Sequence, residues 1–448
     1  VLQSAGLALL IGALLAAVQY HLARTGAVPT ILQSVDAESP DSTDRYHVRF
    51  RNTVSEMRLA AGIPRDVRPV IARSFAMSAF AAEDVRNGIV VGVTEGLLST
   101  LNRSQLQAVV AHELAHVREG DARITAFSCA LLAPFLNLYE LVESLGKDAP
   151  RHQQSGAPTA LLWMITGLMR LVSTTVSRRR ELLADATAVE LTRNPMALAE
   201  ALWIVSKGNH FMGGAATAFS PIFVVDPTSG GIGEEEGAFP DLFATHPPLR
   251  TRLDALLDMV HCTMDQLEAQ MKMHAESRRD QDTGRIPGIG HCNRNWISPL
   301  AVSADGIPRH GKCPACACAL RLDDWSGVEV LRCPECRGNL VDERKLPRIL
   351  LRRETRFHRS QREEALASHP ASGLRSQKTL EDGTQAQFNC PACTAPMTRQ
   401  FYSYQYNIVV DRCFACKAVW FDADELETLW ILIDSANQKD SPVTKTPA

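Results

Sequence analysis

The residues with the clearest chemistry lie in SQLQAVVAHELAHVREGD, Ser104 to Asp121. His112 and His116 stand four apart, so on a helix their imidazoles leave one face a turn apart and can share a zinc ion, with Glu113 beside them. Neutral imidazoles hold zinc at roughly 2.0–2.1 Å, a third protein ligand completes the anchor, and the open fourth position lets a bound water reach a pKa of about 7. Glu113 is placed to take that water's proton. The alternative is two histidines on a solvated helix face with a chance glutamate between them.

The surrounding sequence supplies elements to position these groups. Ser104 followed by Gln107 reads as a capping box, and Leu106, Val109, Val110, Leu114 and Val117 recur at helical spacing. Upstream, a helix is expected over Tyr46 to Ala61, ended by Gly62 and Pro64. Short β-like runs follow at 68–74, at 77–83 and from Ile89 after an Asn87-Gly88 turn, predicting a small antiparallel sheet. Such a sheet is either scaffold or an edge to which an extended peptide adds. Downstream, SRRRELLADATAVELT (Ser177 to Thr192) is strongly helical, with Glu181 and Asp185 one turn apart. A glutamate on a second helix is what an HExxH pair lacks; a charged solvated face is the alternative.

The 448 residues are too many for one compact core. A net charge of -3 gives no polyanion-binding signature, and 45% hydrophobic residues exclude a disordered chain. Eight of the twelve cysteines fall into CxxC pairs, Cys313/Cys316, Cys333/Cys336, Cys390/Cys393 and Cys413/Cys416, a spacing that means zinc and a reducing compartment rather than disulfides. Cys129, Cys262, Cys292 and Cys318 have no readable pairing and are expected to be buried or idle thiols.

Residues 1–22 open with an apolar, uncharged run long enough to span a bilayer, expected as a transmembrane helix, with a cleaved signal peptide as the rival. The chain begins with Val rather than Met, so residues are expected upstream. Two further apolar stretches, 124–141 and 160–172, predict a membrane hairpin within 124–176, although Pro134, Glu140 and Arg170 leave buried core helices as the alternative. Arg118, Arg123, Arg178, Arg179 and Arg180 on the zinc side, against Lys147 and Arg151 in the hairpin loop, place the zinc site in the cytoplasm. The expected domain around the zinc site is 30–261, with a Gly-rich loop or lid between the second zinc helix and the Thr245-His246-Pro247-Pro248 (THPP) segment; His210 there is read as solvent-exposed.

The rest of the chain is an internal repeat. After a linker at 262–307, where His291 beside Cys292 is too weak a metal hint to use, a first four-cysteine zinc ribbon is expected at 308–351. A linker at 352–385, a second ribbon at 386–434 and a disordered tail at 435–448 follow. Each second CxxC leads into a segment read as helix, RGNLVDERKLPRIL or KAVWFDADELETLW.

HExxH, a short apolar hairpin, SRxRExxAD and FATHPPLRTRL (243–253), in that order, resemble the membrane zinc metallopeptidases of the HtpX and CAAX prenyl protease superfamily over Val70 to Met259. The resemblance implies zinc ligation by His112, His116 and Glu181, Glu113 as general base, and Asp185 orienting a ligand from behind. It makes His246 of THPP a candidate for stabilising the oxyanion, with a turn residue as the alternative. Where relatives carry Asn-Ala before the edge strand, this chain has Ser78-Ala79, which puts substrate backbone contacts in doubt. The second ribbon resembles the transcription-factor-IIB type, with Trp420, Phe421 and Glu425 in its tail.

The expected fold is thus α+β, a mainly helical zincin-like membrane peptidase domain with a small sheet, followed by two zinc ribbons. The expected function is a zinc endopeptidase acting on misfolded or membrane-associated proteins or peptides, with one catalytic and two structural zinc ions. Its expected location is the cell membrane, multi-pass, with site and ribbons facing the cytoplasm and the ribbons free to contact proteins. The competing reading is a ribbon protein that binds protein or nucleic acid beside a degenerate peptidase domain. Acidic residues in both ribbon tails speak against nucleic acid.

Overall fold

The computed structural model describes residues 2–131, 133–134, 180–208, 222–224, 247–280, 311–352, 359–368, 389–402 and 408–439. The chain divides into two compact units: Val1–Ser42 with Tyr46–Lys272, and Met273–Ala448 with Thr43–Arg45.

In the first unit, α1 (Leu2–Ser34), β1 (Ala37–Glu38) and α2 (Arg45–Ala60) lead into β2 (Val67–Ala72), β3 (Ala79–Asp84) and β4 (Gly88–Thr94). The short α3 (Glu95–Thr100), α4 (Arg103–Arg118), α5 (121–131), α6 (180–192), α7 (Pro195–Ser206), α8 (Leu249–Asp258) and α9 (Met264–Asp280) follow. The sheet order is β1-β2-β4-β3. β3 and β4 form the expected antiparallel hairpin, but β2 lies beside β4 and parallel to it, so the sheet is mixed rather than antiparallel throughout. β4 goes to the middle because it is apolar on both faces and every residue after Gly88 is buried.

Period-two alternation splits the strands between two cores. Val67, Ile71, Ala79, Ala81, Ile89, Val91 and Val93 face a cluster built with α2, α4 and α7. Val70, Ala72, Phe80, Ala82 and Val90 face one built with α1 and α5. The sheet is therefore a middle layer between helices, with α4 packed on its β3 and β4 side. Phe80 stands opposite Gly92, where a Cβ would come within 2.2 Å of the ring, and stacks edge-on against Phe223 at 6.0 Å.

α1 extends well past the predicted end at 22. Its apolar stripe Ala23, Ala27, Val28 and Ile31 is buried against the sheet. The helix also tolerates Pro29, which has no N–H to offer Thr25, because Asn87 Nδ2 donates to the Thr25 carbonyl at 2.9 Å and Asp84 Oδ2 accepts from Val28 N at 3.0 Å. Among the described residues no helix is long and apolar enough to cross a membrane. Of the expected hairpin 124–176, residue 132 and residues 135–176 lie outside the described residues. The stretch expected as a linker from 262 opens instead with α9, started by the Thr263/Gln266 capping box and anchored by Leu267 in the core.

In the second unit the two ribbons share one sheet. β5 (Arg321–Trp325), β6 (Val328–Arg332) and β7 (Asn339–Asp342) belong to the first; α10 (Leu346–Leu351) and α11 (Arg359–Ser368) follow. β8 (Thr398–Phe401), β9 (Val409–Arg412), β10 (Ala418–Phe421) and α12 (Glu425–Lys439) complete the second. The order β5-β6-β7-β10-β9-β8 joins the repeats antiparallel through β7 and β10. Each tail read as one helix is first a strand, because β7 and β10 pair with each other. Gly338 makes room for the buried Trp420, whose Cζ2 would lie 2.3 Å from a Cβ at 338.

Because Phe80 fills the space over Gly92, Gly92→Ala should overpack the face of the sheet that meets α1 and α5, at a cost of about 1–3 kcal/mol. A lowered thermal midpoint of the first unit, read by tryptophan fluorescence, is the expected outcome; an unchanged midpoint would show that the ring can give way.

Candidate active site

α4 begins two residues earlier than its sequence suggested. Asn102 is the cap, its side chain accepting from Gln105 N at 2.9 Å while Gln105 Oε1 accepts from Asn102 N at 3.0 Å. Ser104 is exposed and donates to Asn102 Oδ1 instead of capping. The helix is buried almost all round, so His112 (0% exposed) and Glu113 (2%) sit inside the protein while His116 is partly open.

α6 brings Glu181 to the same point. His112 Nε2 is 3.3 Å from His116 Nε2 and 3.6 Å from Glu181 Oε2, and His116 Nε2 is 3.5 Å from Glu181 Oε1. Ligands about 2.0–2.1 Å from a tetrahedral zinc stand roughly 3.3–3.4 Å apart, so the donor triangle fits the ion. The two imidazoles are perpendicular, with centroids 4.9 Å apart, and both present Nε2 to the shared point.

Behind each imidazole stands a carboxylate held by an arginine. Asp185, one turn after Glu181, places Oδ1 2.9 Å from His112 Nδ1. Arg252 of α8 grips Asp185 with two bonds, Nε to Oδ2 at 2.8 Å and Nη2 to Oδ1 at 2.7 Å, and lies 3.3 Å from Glu181 Oε2. More loosely, Asp121 lies 3.6 Å from His116 Nδ1 and is paired with Arg180. Such partners fix the ring orientation and the tautomer that leaves Nε2 free for a metal.

Charge gives an independent test of the fit. Glu113, Glu181 and Asp185 are all buried around the two imidazoles, a concentration of carboxylates that suits a cation.

A family model described as peptidase family M48 matches residues 47–260, and one described as transcription factor zinc-finger matches 389–430. Curated relatives named protease HtpX homolog, from Streptococcus pneumoniae strains Hungary19A-6 and G54, are each 30% identical over 239 residues. These alignments span 50% of this chain and 76% of the relative. The chain belongs to peptidase family M48. A crystal structure of S. mikatae Ste24p aligns at 15% identity over 55% of this chain and 57% of that one, with a TM-score of 0.34.

This M48 member is a zinc metalloprotease whose sequence-expected residues His112, Glu113, His116, Glu181 and Asp185 meet in one place. His246 lies outside the described residues, while Pro247 and Pro248 lead directly into α8. At the Ser78-Ala79 departure, the Ser78 backbone is tied to Thr94, and the outward carbonyl of Ala79 accepts from Val224 N at 3.1 Å. Residues 222–224 thereby cover part of the β3 edge, and Arg252 Nη1 holds the Val224 carbonyl at 2.9 Å. Arg252 and Asp121 carried no role in the sequence reading, and Arg180 carried only a topological one. Arg252 had a visible signal, since RTRL sits in the same segment as THPP, but nothing in the sequence said that it turns toward Asp185.

Elsewhere, Cys313, Cys316, Cys333 and Cys336 gather into one metal-capable set, and Cys390, Cys393, Cys413 and Cys416 into another. Their closest sulfur pairs are 3.3–3.6 Å apart, near the roughly 3.7 Å expected around zinc.

Metal-free, burial pulls the His112 pKa down, but the facing carboxylates of Asp185 and Glu181 outweigh it and raise the pKa to about 9. A raised folded value means that the His112 charge stabilises the metal-free fold fully below about pH 6.5 and that this contribution is lost as pH rises through about 9. A metal must displace that proton. Zinc uptake at this site should release about one proton from His112 and tighten by about tenfold per pH unit between 7 and 9. Calorimetry in buffers of different ionisation heat measures both; flat affinity across that window would contradict the assignment.

Arg252→Met takes the guanidinium away from Asp185 and Glu181, so zinc affinity should fall by about 10–100-fold. Stability of the metal-free unit should fall by about 3–5 kcal/mol. Arg252→Lys should recover only part of the affinity, because an ammonium cannot reproduce the two-bond grip. Zinc titration of both variants decides it, and full affinity in Arg252→Met would remove the residue from the site.

Proposed function

We propose that this M48 chain is an HExxH-type endopeptidase with His112, His116 and Glu181 as zinc ligands, Glu113 as general base, and Asp185 orienting His112. The observation that carries this reading is the donor triangle of 3.3–3.6 Å with the buried Glu113 beside it. Zinc held there supplies a Lewis acid that polarises the scissile carbonyl and makes water acidic near neutral pH. Glu113 takes the proton of the attacking water and returns it to the departing amine nitrogen. Burial raises the Glu113 pKa against the opposing charges of His112 and His116, bringing the carboxylate closer to the range in which it both accepts and releases a proton at neutral pH. Asp185 and Arg252 keep the His112 ring fixed while this happens.

Two structural zinc ions, one in each ribbon, bring the proposed total to three. Four thiolates leave no open position, so the ribbon ions stabilise their fold and activate no water.

The substrates we propose are misfolded or membrane-associated proteins, with the enzyme at a membrane, its site and ribbons on the cytoplasmic side and the ribbons contacting proteins. Leu10, Leu14, Leu15, Val18 and Leu22 of α1 are exposed, an apolar surface that suits lipid. Beyond it α1 and α5 approach through small residues, Ala23 and Ala27 with Ala126 and Ala130, the kind of seam that lets helix backbones pack closely in a bilayer. The arginine bias around α4, α5 and α6 supports the cytoplasmic orientation.

Glu113→Gln removes the base and keeps the three ligands. In membranes washed with alkaline carbonate, where the full chain should remain, this variant should bind zinc normally and lose about 10²–10⁴-fold or more in cleavage of an unfolded peptide. Wild-type turnover by Glu113→Gln would refute the mechanism, and release of the chain by the wash would refute the membrane reading separately.

A further inference from the structure

All four CxxC pairs form the same turn. The residue after each second cysteine, Ala317, Arg337, Thr394 or Lys417, has positive φ, and the first cysteine's N–H bonds to the carbonyl five residues on. In the first ribbon that carbonyl is Cys318's, accepting from Cys313 N at 2.7 Å; in the second it is Ala395's, accepting from Cys390 N at 2.7 Å. The second ribbon is thus an internal control in which the turn closes without a thiol at this place.

In the first ribbon the extra thiol does not point away. Cys318 Sγ lies 3.1 Å from Cys333 Sγ and 3.4 Å from Cys316 Sγ, and Cys318 is partly exposed. Five sulfurs therefore crowd a site that takes four. With the four CxxC thiolates as ligands, Cys318 keeps a free thiol in contact with two of them.

We propose that Cys318 is a peroxide-sensitive modification site that opens the first ribbon. The Cys318 thiol is oxidised by a hydroperoxide to a sulfenic acid, and the hydroperoxide is reduced to an alcohol, or to water when it is hydrogen peroxide. The sulfur of Cys333 or Cys316 then attacks the Cys318 sulfur, forming an S–S bond and expelling water, so two thiols have given two electrons to one peroxide. The new bond takes one ligand out of the four-sulfur set. A dithiol reverses it. The second ribbon, with Ala395, lacks the first acceptor of this sequence.

The test uses the zinc-loaded full-length chain, hydrogen peroxide as probe, a chromophoric chelator to read released zinc, and mass spectrometry to map linked cysteines. One zinc equivalent should leave wild type about tenfold faster than Cys318→Ala. A peptide joining Cys318 to Cys333 or Cys316 should appear, and dithiothreitol should remove it and restore zinc binding. Ala395→Cys should make the second ribbon equally sensitive. Equal release rates in wild type and Cys318→Ala, or links that omit Cys318, would overturn the proposal. So would loss of zinc from Cys318→Ala before any oxidant is added, which would make Cys318 a ligand.

Discussion

Buried carboxylates govern this structure. Glu113, Glu181 and Asp185 are each within a few per cent of full burial, and none can remain ionised there unless positive charge meets it. Asp185 shows the effect directly: burial raises its pKa, yet the Arg252 charge and the His112 contact overcome this and hold it below the usual carboxylate range. Glu113 has no such arginine grip, and its pKa is raised. In the proposed mechanism two carboxyl groups on neighbouring helices are thereby suited to opposite tasks, one an anion that orients an imidazole, the other a base able to exchange a proton.

This arrangement requires three segments far apart in sequence to meet with ångström accuracy, and the layered first unit makes that possible. α4 is fixed by its Asn102/Gln105 cap and by packing on β3 and β4, while Asn194 caps α7, which packs against both α4 and α8. α8 is thereby positioned to carry Arg252 to Asp185. The same guanidinium also holds the Val224 carbonyl, and Val224 N bonds to Ala79 on the outer edge of β3. The sheet edge and the proposed zinc ligands are thus joined through one residue.

What could be read in advance follows from the range of the interactions. His112 with His116, and Glu181 with Asp185, are one-turn pairs, so spacing alone puts each on one helix face. The strands were visible as apolar runs, but the insertion of β4 between β2 and β3 is a pairing choice across the sheet and leaves no local pattern. Arg252 meets Asp185 across 67 residues of sequence, and neither neighbourhood specifies the other. The cap was assigned two residues late because Ser104 and Asn102 both have the right chemistry, and only the backbone turn selects between them. α1 continued beyond its apparent end because Asp84 and Asn87 satisfy the groups that Pro29 leaves over, a remedy that lies on another element.

The ribbons show the same dependence on non-local pairing, with a different result. Alone, each would be a three-stranded sheet with an exposed edge and too little apolar area for a core of its own. Pairing β7 with β10 hides one edge of each. It also merges Trp325, Val341 and Ile349 from the first repeat with Val419, Leu429 and Trp430 from the second in one cluster. Cys313 and Cys333 share a second cluster with Cys390, Cys413 and Trp420, so the sulfurs of the two sites are packed into a common core. Zinc held in either ribbon would therefore brace a surface that the other uses. An event at one metal set, including removal of a single ligand, acts on a shared core rather than on a detached module.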